Sequence, residues 1–295
     1  MRKTTTAHSS TSAPTKHASL LQKNRDPLKS VKMTAAIVAA IMFVFPIIWM
    51  LFVSLKPQAT TASLPLDWFL PPYTWVNYHE ILFESKVLLW LWNSLYVGVV
   101  TTILTLIITS LAAFAISKMK FGYRKFIYVF FLAGMMVPGE ATIIPLFEIV
   151  KNLELLDTYT GLILPMIASP MGVIILKSFF DGVPDEVIES AQIDGCSYGR
   201  LYWSIVLPLA KPALAAIGIF TFIGSWNNFL WPFLSIVTEN LYTLPVGIPT
   251  FNSNYSQSYV LPMTVNAVAS LPVIIAFLLF EKQIVKGVSF TGLKG

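Results

Sequence analysis

Long apolar runs separated by short polar segments occupy most of the chain. A helix needs roughly 20 apolar residues to cross the bilayer core, and helices satisfy their backbone hydrogen bonds internally, as lipid requires. Six runs come close to that length: residues 33–55, 87–117, 126–147, 158–176, 213–236 and 260–280. The pattern therefore predicts an all-α, polytopic membrane protein with six transmembrane helices.

Helix-breaking residues are expected to interrupt the third and fourth runs. Pro138 and Glu140 interrupt the third run, so we expect its outer end to be kinked or exposed. Pro165 and Pro170 break the fourth run. The limits of the third helix are therefore the hardest to predict.

The basic residues indicate the orientation of the predicted helices. If the N-terminus is cytosolic, all of the 20 lysines and arginines except Lys56, Lys86 and Lys151 fall in cytosolic segments. Cytosolic loops carry such an excess, so both termini are predicted to be cytosolic. Residues 1–32 are rich in Ser, Thr and Lys without apolar periodicity, which predicts a disordered cytosolic tail before a transmembrane domain at 33–295.

Composition narrows the classes of function. The chain is 55% hydrophobic and 12% charged, with a mean hydropathy of +0.69, which is far from a soluble domain. Its net charge of +5 is divided among short loops and does not indicate nucleic acid. The single cysteine, Cys196, excludes an intrachain disulfide and a multi-cysteine metal site. There is no Gly-rich phosphate loop, nucleophile–base pair or metal-ligand cluster, so we expect no catalytic residue, cofactor or metal in this chain.

The polar segment at residues 181–212 predicts two short helices with a hinge. Pro184 suits the start of the first helix, and Gly195 suits a left-handed stop after it. Ser197 can cap a second helix that runs through Leu207, and Pro208 would end it. The apolar face of the first helix is formed by Val187, Ile188 and Ala191.

This loop carries a family resemblance. Its spacing is similar to the EAA loop of bacterial ABC-importer permeases, E-A-A-x-x-D-G followed by I-x-L-P, with Ser where the second position is usually Ala. The matching residues are Glu189, Ser190, Ala191, Asp194, Gly195, Ile205, Leu207 and Pro208. The resemblance implies that the 181–212 segment, which we call the coupling loop, lies between spans four and five and contains a coupling helix that docks into a cleft of an ATP-binding subunit.

The resemblance extends over residues 33–295 and is closest to the second permease of carbohydrate importers such as the maltose system. The segment 225–232 resembles that subgroup's W-N-x-F-x-x-P pattern, and the C-terminus resembles its short tail ending in Lys-Gly. The implied partners are a second homologous permease, two ATP-binding subunits that carry ATP and Mg, and an extracytoplasmic sugar-binding protein. The implied location is the bacterial cytoplasmic membrane, and the implied mechanism is alternating access.

The resemblance also implies site residues. Glu189 pairs with a basic residue of the ATPase, unless it is an ordinary solvated carboxylate, and we expect the apolar face of its helix to press into the ATPase cleft. Asp194 caps the hinge or touches the ATPase. The full set of ATPase-coupling candidates is Glu186, Glu189, Ser190, Ala191, Asp194 and Gly195.

Two further sets concern the solute. Asn227 and Asn228 lie on the predicted fifth span, where they contact sugar hydroxyls or hydrogen-bond to another helix; both alternatives stay open. The loop before the last span either contacts the binding protein or is a plain solvated connection. Its candidate contact residues are Asn252, Ser253, Asn254 and Tyr255.

Rival functions remain at this point. A secondary transporter or channel is disfavoured because Glu140 stands nearly alone among the spans as an acidic residue. An ABC importer for amino acids, phosphate or peptides is the runner-up, against which the 225–232 segment and the Lys-Gly tail favour a sugar importer. Neither feature indicates which sugar is carried.

Overall fold

The computed structural model describes residues 27–58, 69–251 and 259–291, and within them the chain is helical without strands. Two compact units are formed, Met1–Ile48 and Trp49–Gly295. Helix α1, Pro27–Ser54, contains Pro46 and has many exposed apolar side chains. Its first six residues, 27–32, overlap the predicted tail at 1–32, and residues 1–26 lie outside the described part of the chain.

The second unit contains the remaining helices. Those in its first half are α2 (Val76–His79), α3 (Val87–Lys118), α4 (Arg124–Met135), α5 (Ile143–Asn152), α6 (Tyr159–Ile163) and α7 (Pro170–Asp181). Those in its second half are α8 (Asp185–Ile193), α9 (Tyr198–Leu201), α10 (Leu207–Leu209), α11 (Lys211–Trp226), α12 (Leu230–Ser235), α13 (Leu244–Gly247) and α14 (Val260–Thr291). Short 3-10 or π segments join several of them.

Three stretches are long and apolar enough to cross a membrane: Ser30–Ser54, Val87–Lys118 and Val260–Glu281. Three bent pairs pass the same test only as pairs, which allows up to six spans by length and composition. The pairs are Arg124–Met135 with Gly139–Asn152, bent by 96°, Tyr159–Ile167 with Pro170–Asp181, bent by 44°, and Tyr198–Leu209 with Lys211–Trp226, bent by 79°. The break in the third run therefore falls at Pro138 and that in the fourth run at Pro170, while Pro165 lies in the 3-10 turn Leu164–Ile167 that precedes the second break.

The predicted fifth span at 213–236 is wrong as a continuous helix. Helix α11 ends at Trp226, and α12 begins only at Leu230. The reason is Pro232, whose ring would clash with the carbonyl of Asn228 in an unbroken helix. Asn227 and Asn228 consequently lie in the break between two helices rather than on a helix.

Helix α3 lies at the centre of the second unit. It packs against α7 and α11, and α14 packs against α11. Near the end of α3, a buried apolar cluster joins Phe114 to Leu176 and Phe180 of α7 and to Ile188 of α8. This cluster packs the coupling loop against the C-terminal end of α3.

Candidate functional site

The first helix of the coupling loop, α8, starts where the sequence indicates. Pro184 occupies its N-cap with φ −56°, and Asp185 and Glu186 lie in its first turn. Carboxylates there face the positive end of the helix dipole, which stabilises the helix start. The helix is nine residues long, so it depends on packing as well as on its own hydrogen bonds.

The hinge after α8 is a Schellman motif. Gly195 has φ +77°, the left-handed conformation that favours glycine. The Cys196 N–H donates to the Ala191 carbonyl at 2.9 Å, and the Gly195 N–H donates to the Gln192 carbonyl at 3.0 Å. No heavy atom lies within 4 Å of a Cβ added at Gly195, so the backbone conformation alone requires glycine. The predicted left-handed stop is confirmed.

The apolar face of α8, which was expected to dock into the ATPase, is mostly buried within this chain. Ile188 and Ala191, at 5% and 8% exposure, pack into this chain's own core, so they cannot press into an ATPase cleft. Of the three expected apolar contacts only Val187 is exposed. The outward surface is instead acidic with apolar neighbours, and its exposed members are Glu186, Val187, Glu189, Ile193 and Asp194.

Ser190, where the EAA pattern usually has Ala, is accommodated without disturbing the helix. The residue is exposed, and its hydroxyl donates to the Val187 carbonyl at 3.2 Å. Ala191, in contrast, lies on the buried side, where a small residue lets the helix approach the core. The two neighbouring small residues therefore have different roles.

The second helix of the coupling loop runs further than expected. Ser197 caps it, accepting a hydrogen bond from the Arg200 N–H at 3.4 Å. A π segment at Tyr202–Val206 then leads into α10, so the helix continues through Pro208 to Leu209. The wider π turn relieves the clash that Pro208 would make with the carbonyl of Ser204. The expected end at Pro208 is therefore wrong.

A buried lysine fastens the start of α8 to α3. The Lys118 side chain is only 4% exposed, and its Nζ lies 2.7 Å from Oδ1 of Asp185 and 2.8 Å from the Val183 carbonyl oxygen. The hydrogen bond and the positive charge of Lys118 hold the pKa of the Asp185 carboxyl below its usual value. This pair could not be predicted from the sequence, because its members lie 67 positions apart and no local pattern links them.

A second polar link lies one residue earlier in α3. The Ser117 hydroxyl donates to Oδ1 of Asp181 at 2.6 Å, while Lys177 Nζ lies 2.5 Å from Oδ2 of the same carboxylate. Asp181 is the last residue of α7. Neighbouring residues of α3 thus hold the end of α7 and the start of α8.

The two asparagines between α11 and α12 differ in their contacts. Asn228 accepts a hydrogen bond from the Trp231 N–H at 3.3 Å and its amide lies 3.6 Å from the sulfur of Met166. Asn227 is exposed. Trp226 and Trp231 are each 4% exposed, and the Trp231 indole donates to the Gly161 carbonyl at 3.1 Å. The tryptophans therefore pack and position the break.

The candidate binding-protein contacts Asn252, Ser253, Asn254 and Tyr255 lie outside the described residues. The segment leading to them is held on α3. Lys86 Nζ lies 2.7 Å from Oε2 of Glu239, and buried Asn93 donates to the carbonyls of Asn240 and Tyr242 at 2.8 and 2.9 Å. Within the described residues, no group of three or more His, Cys, Asp or Glu could hold a metal.

The chain is similar to known transport proteins. Residues 106–290 match the model of the family described as "Binding-protein-dependent transport system inner membrane component". The arabinooligosaccharides transport system permease protein AraQ of Bacillus subtilis is 36% identical over 87% of this chain and 92% of its own length. The sulfoquinovosyl glycerol transport system permease protein SmoH of Agrobacterium fabrum is 33% identical over 90% of this chain and 94% of its own length.

A solved structure has the same fold. It is the crystal structure of a bacterial ABC transporter involved in the import of the acidic polysaccharide alginate. The match has a TM-score of 0.80 at 21% identity, and it covers 88% of this chain and 97% of that one. The residues that match the family model, 106–290, include the coupling loop and most of the helices around it. The chain belongs to the binding-protein-dependent transport system inner membrane component family and is a permease subunit of an ABC importer.

Proposed function

We propose that this permease carries a sugar or oligosaccharide into the cell, driven by ATP hydrolysis on partner subunits. The observation that carries the proposal is the similarity, over nine-tenths or nearly so of the chain, to permeases whose names specify arabinooligosaccharides and sulfoquinovosyl glycerol. Both names denote solutes with many hydroxyl groups. The 225–232 segment, which resembles that of carbohydrate permeases, supports the same class.

The proposed topology has six spans with both termini in the cytosol. Two of the bent pairs, which join α4 to α5 and α6 to α7, would each supply one crossing, and α11 with α12 would supply the fifth. The distribution of lysine and arginine favours the orientation. Residues 1–32 would form a cytosolic tail and residues 33–295 the transmembrane domain of the cytoplasmic membrane. This arrangement would place the coupling loop in the cytosol.

The proposed assembly adds a second homologous permease, two ATP-binding subunits with ATP and Mg, and an extracytoplasmic sugar-binding protein. The exposed acidic surface of α8 suits a basic site on an ATP-binding subunit, with Glu189 at its centre and Glu186 and Asp194 beside it. Ser190, Ala191 and Gly195 would shape this surface rather than bind through charge. Losing one partner of a desolvated charge pair costs about 2–5 kcal/mol.

The proposed solute contacts lie in two parts of the chain. Asn227, exposed beside the α11–α12 break, would face the solute path, whereas the contacts of Asn228 are local. Asn252, Ser253, Asn254 and Tyr255 would contact the binding protein. Their loop would be presented by the segment that Lys86 and Asn93 hold on α3.

The experiment is ATP-driven uptake into proteoliposomes that contain the chain copurified with its permease and ATPase partners. Labelled arabinotriose is offered with the binding protein, and labelled leucine and phosphate are offered as non-sugar controls. A complex whose ATPase lacks its phosphate-loop lysine is the matched inactive control. Uptake of the sugar that requires ATP supports the proposal. Uptake of arabinotriose without ATP, or of leucine or phosphate alone, would contradict it.

A further inference from the structure

One face of α3 contacts both helices of the coupling loop. The four residues that form it are spaced at i, i+4, i+7 and i+8, which places them on the same side of a helix over two turns. They are Ser110, Phe114, Ser117 and Lys118. We call them the transmission face.

The first two residues of the transmission face, Ser110 and Phe114, contact the second helix of the loop. The Ser110 and Tyr202 hydroxyls are 2.7 Å apart and share a hydrogen bond. The rings of Phe114 and Tyr202 lie 5.3 Å apart between centroids. Tyr202 is 3% exposed and begins the π segment, so the irregular turn of the loop lies directly on α3.

The last two residues of the transmission face, Ser117 and Lys118, contact the start of the loop. Ser117 donates to Asp181, and Lys118 donates to both the Val183 carbonyl and Asp185. A buried ammonium group needs such partners, because burial without them is costly. The pair fixes the first turn of α8 on α3, separately from the Ile188 and Ala191 contacts that hold the helix body.

We propose that α3 and the coupling loop move as one body, with Lys118 as the positioning residue that makes α3 follow α8. The inference rests on the proposed function, since it takes α8 as the contact with the ATPase. Packed interfaces shift between discrete arrangements rather than deform continuously. A movement of α8 would thus reach the membrane through α3, which packs against α7 and α11.

The variant that tests the link is Lys118→Met, which removes the ammonium and keeps an unbranched apolar stem. Asp185 is exposed, so it stays solvated when its partner is lost. Lys120→Met is the matched control, because Lys120 is exposed and carries the same charge two residues away. Spin labels are placed at Leu111→Cys on α3 and Gln192→Cys on α8, in a Cys196→Ser background that removes the single native cysteine.

The label distance is measured by pulsed electron resonance in the assembled complex, with ADP and then with ATP and vanadate. With Lys118 present, we expect the distance to stay constant within about 2 Å, the size of an ordinary helix shift. In the Lys118→Met variant the label distance should depend on the bound nucleotide, whereas in the Lys120→Met variant it should stay constant. In the unlabelled complex, Lys118→Met should also lower the sugar moved per ATP hydrolysed by at least about fivefold, the lower end of usual coupling.

Two results overturn the inference. One is a nucleotide-dependent distance when Lys118 is intact, and the other is a Lys118→Met complex that matches Lys120→Met. The distance measurement needs nucleotide but no solute. If the intact complex moves no sugar, the proposed function fails while the distances still decide the inference.

Discussion

At the residue scale, single polar side chains join segments that are far apart in the sequence. Asp157 is an example outside the coupling loop. Its Oδ1 accepts hydrogen bonds from the Val237 and Thr238 N–H groups at 2.9 and 2.8 Å, and its Oδ2 accepts one from the Thr238 hydroxyl. These hydrogen bonds, chiefly from Thr238, lower the pKa of Asp157 from its usual 3.8. The loop after α5 is thereby tied to the chain after α12.

We expect Asp157→Asn to loosen this tie in a pH-dependent way. The folded state favours the charged carboxylate, so its contribution is complete above pH 3.8 and is lost as the pH falls through the lower folded value. Asn tolerates the positive φ of 57° at this position, which isolates the effect of charge. The Tm difference between the two proteins in detergent should be largest near pH 6 and should shrink below pH 3.8.

The control for Asp157→Asn is Glu148→Gln, which removes an exposed carboxylate of α5. Its effect on Tm should be small at every pH. If the Asp157→Asn difference is equally large at pH 3 and pH 6, the tie does not depend on the carboxylate charge.

At the scale of elements, the structure shows which helix boundaries local chemistry determines. The ends of α8 and the start of α9 could be predicted, because Pro184, Gly195 and Ser197 act on their own backbone neighbours. The limits of α11 and α10 could not, because Pro232 breaks one predicted helix and a π segment lets another pass Pro208. Whether a proline ends a helix depends on the turn before it.

The candidate site divides in the same way. Glu189 and Asp194 could be selected from their spacing, and the structure places both on the exposed side. The burial of Ile188 and Ala191 could not be foreseen, because it depends on a buried cluster whose other members come from several helices and meet only in the folded chain. The Lys118–Asp185 pair likewise joins residues 67 positions apart.

We expect Gly195→Ala to destabilise the hinge by about 1–2 kcal/mol, the usual cost of a left-handed conformation for an L residue. Gly199→Ala is the matched control, because Gly199 lies in α9 without positive φ and also has no atom within 4 Å of an added Cβ. Amide exchange of peptides covering 185–197 should accelerate in the first variant and not in the second. Equal exchange in both variants would show that the hinge tolerates a side chain.

At the scale of the whole molecule, the topology determines which surfaces can meet which partners. Ile193 and Val237 are 85% and 81% exposed, and the proposed topology places them on opposite sides of the membrane. In a Cys196→Ser background, an impermeant maleimide added to intact cells should label Val237→Cys and leave Ile193→Cys unlabelled. Permeabilised cells that lack the ATPase should allow both to react. Labelling of Ile193→Cys in intact cells would invert the topology.

In the proposed assembly, the exposed acidic surface of α8 connects this permease to its ATPase. Glu189→Lys reverses one charge there, while the buried contacts of Ile188 and Ala191 stay intact. The protein should therefore reach the membrane at normal levels. Glu186→Lys makes the same change of charge three positions earlier in the same helix. Comparing the two variants therefore separates the effect of the position from the effect of the charge.

The most direct measurement is the amount of ATPase that copurifies with the Glu189→Lys permease, relative to the unaltered chain, alongside ATP-driven uptake. We predict that ATPase retention falls at least tenfold, since loss of about 2 kcal/mol at such an interface exceeds the 1.4 kcal/mol that a factor of ten requires. Uptake should be lost with it. Normal retention and normal uptake by Glu189→Lys would contradict the claim.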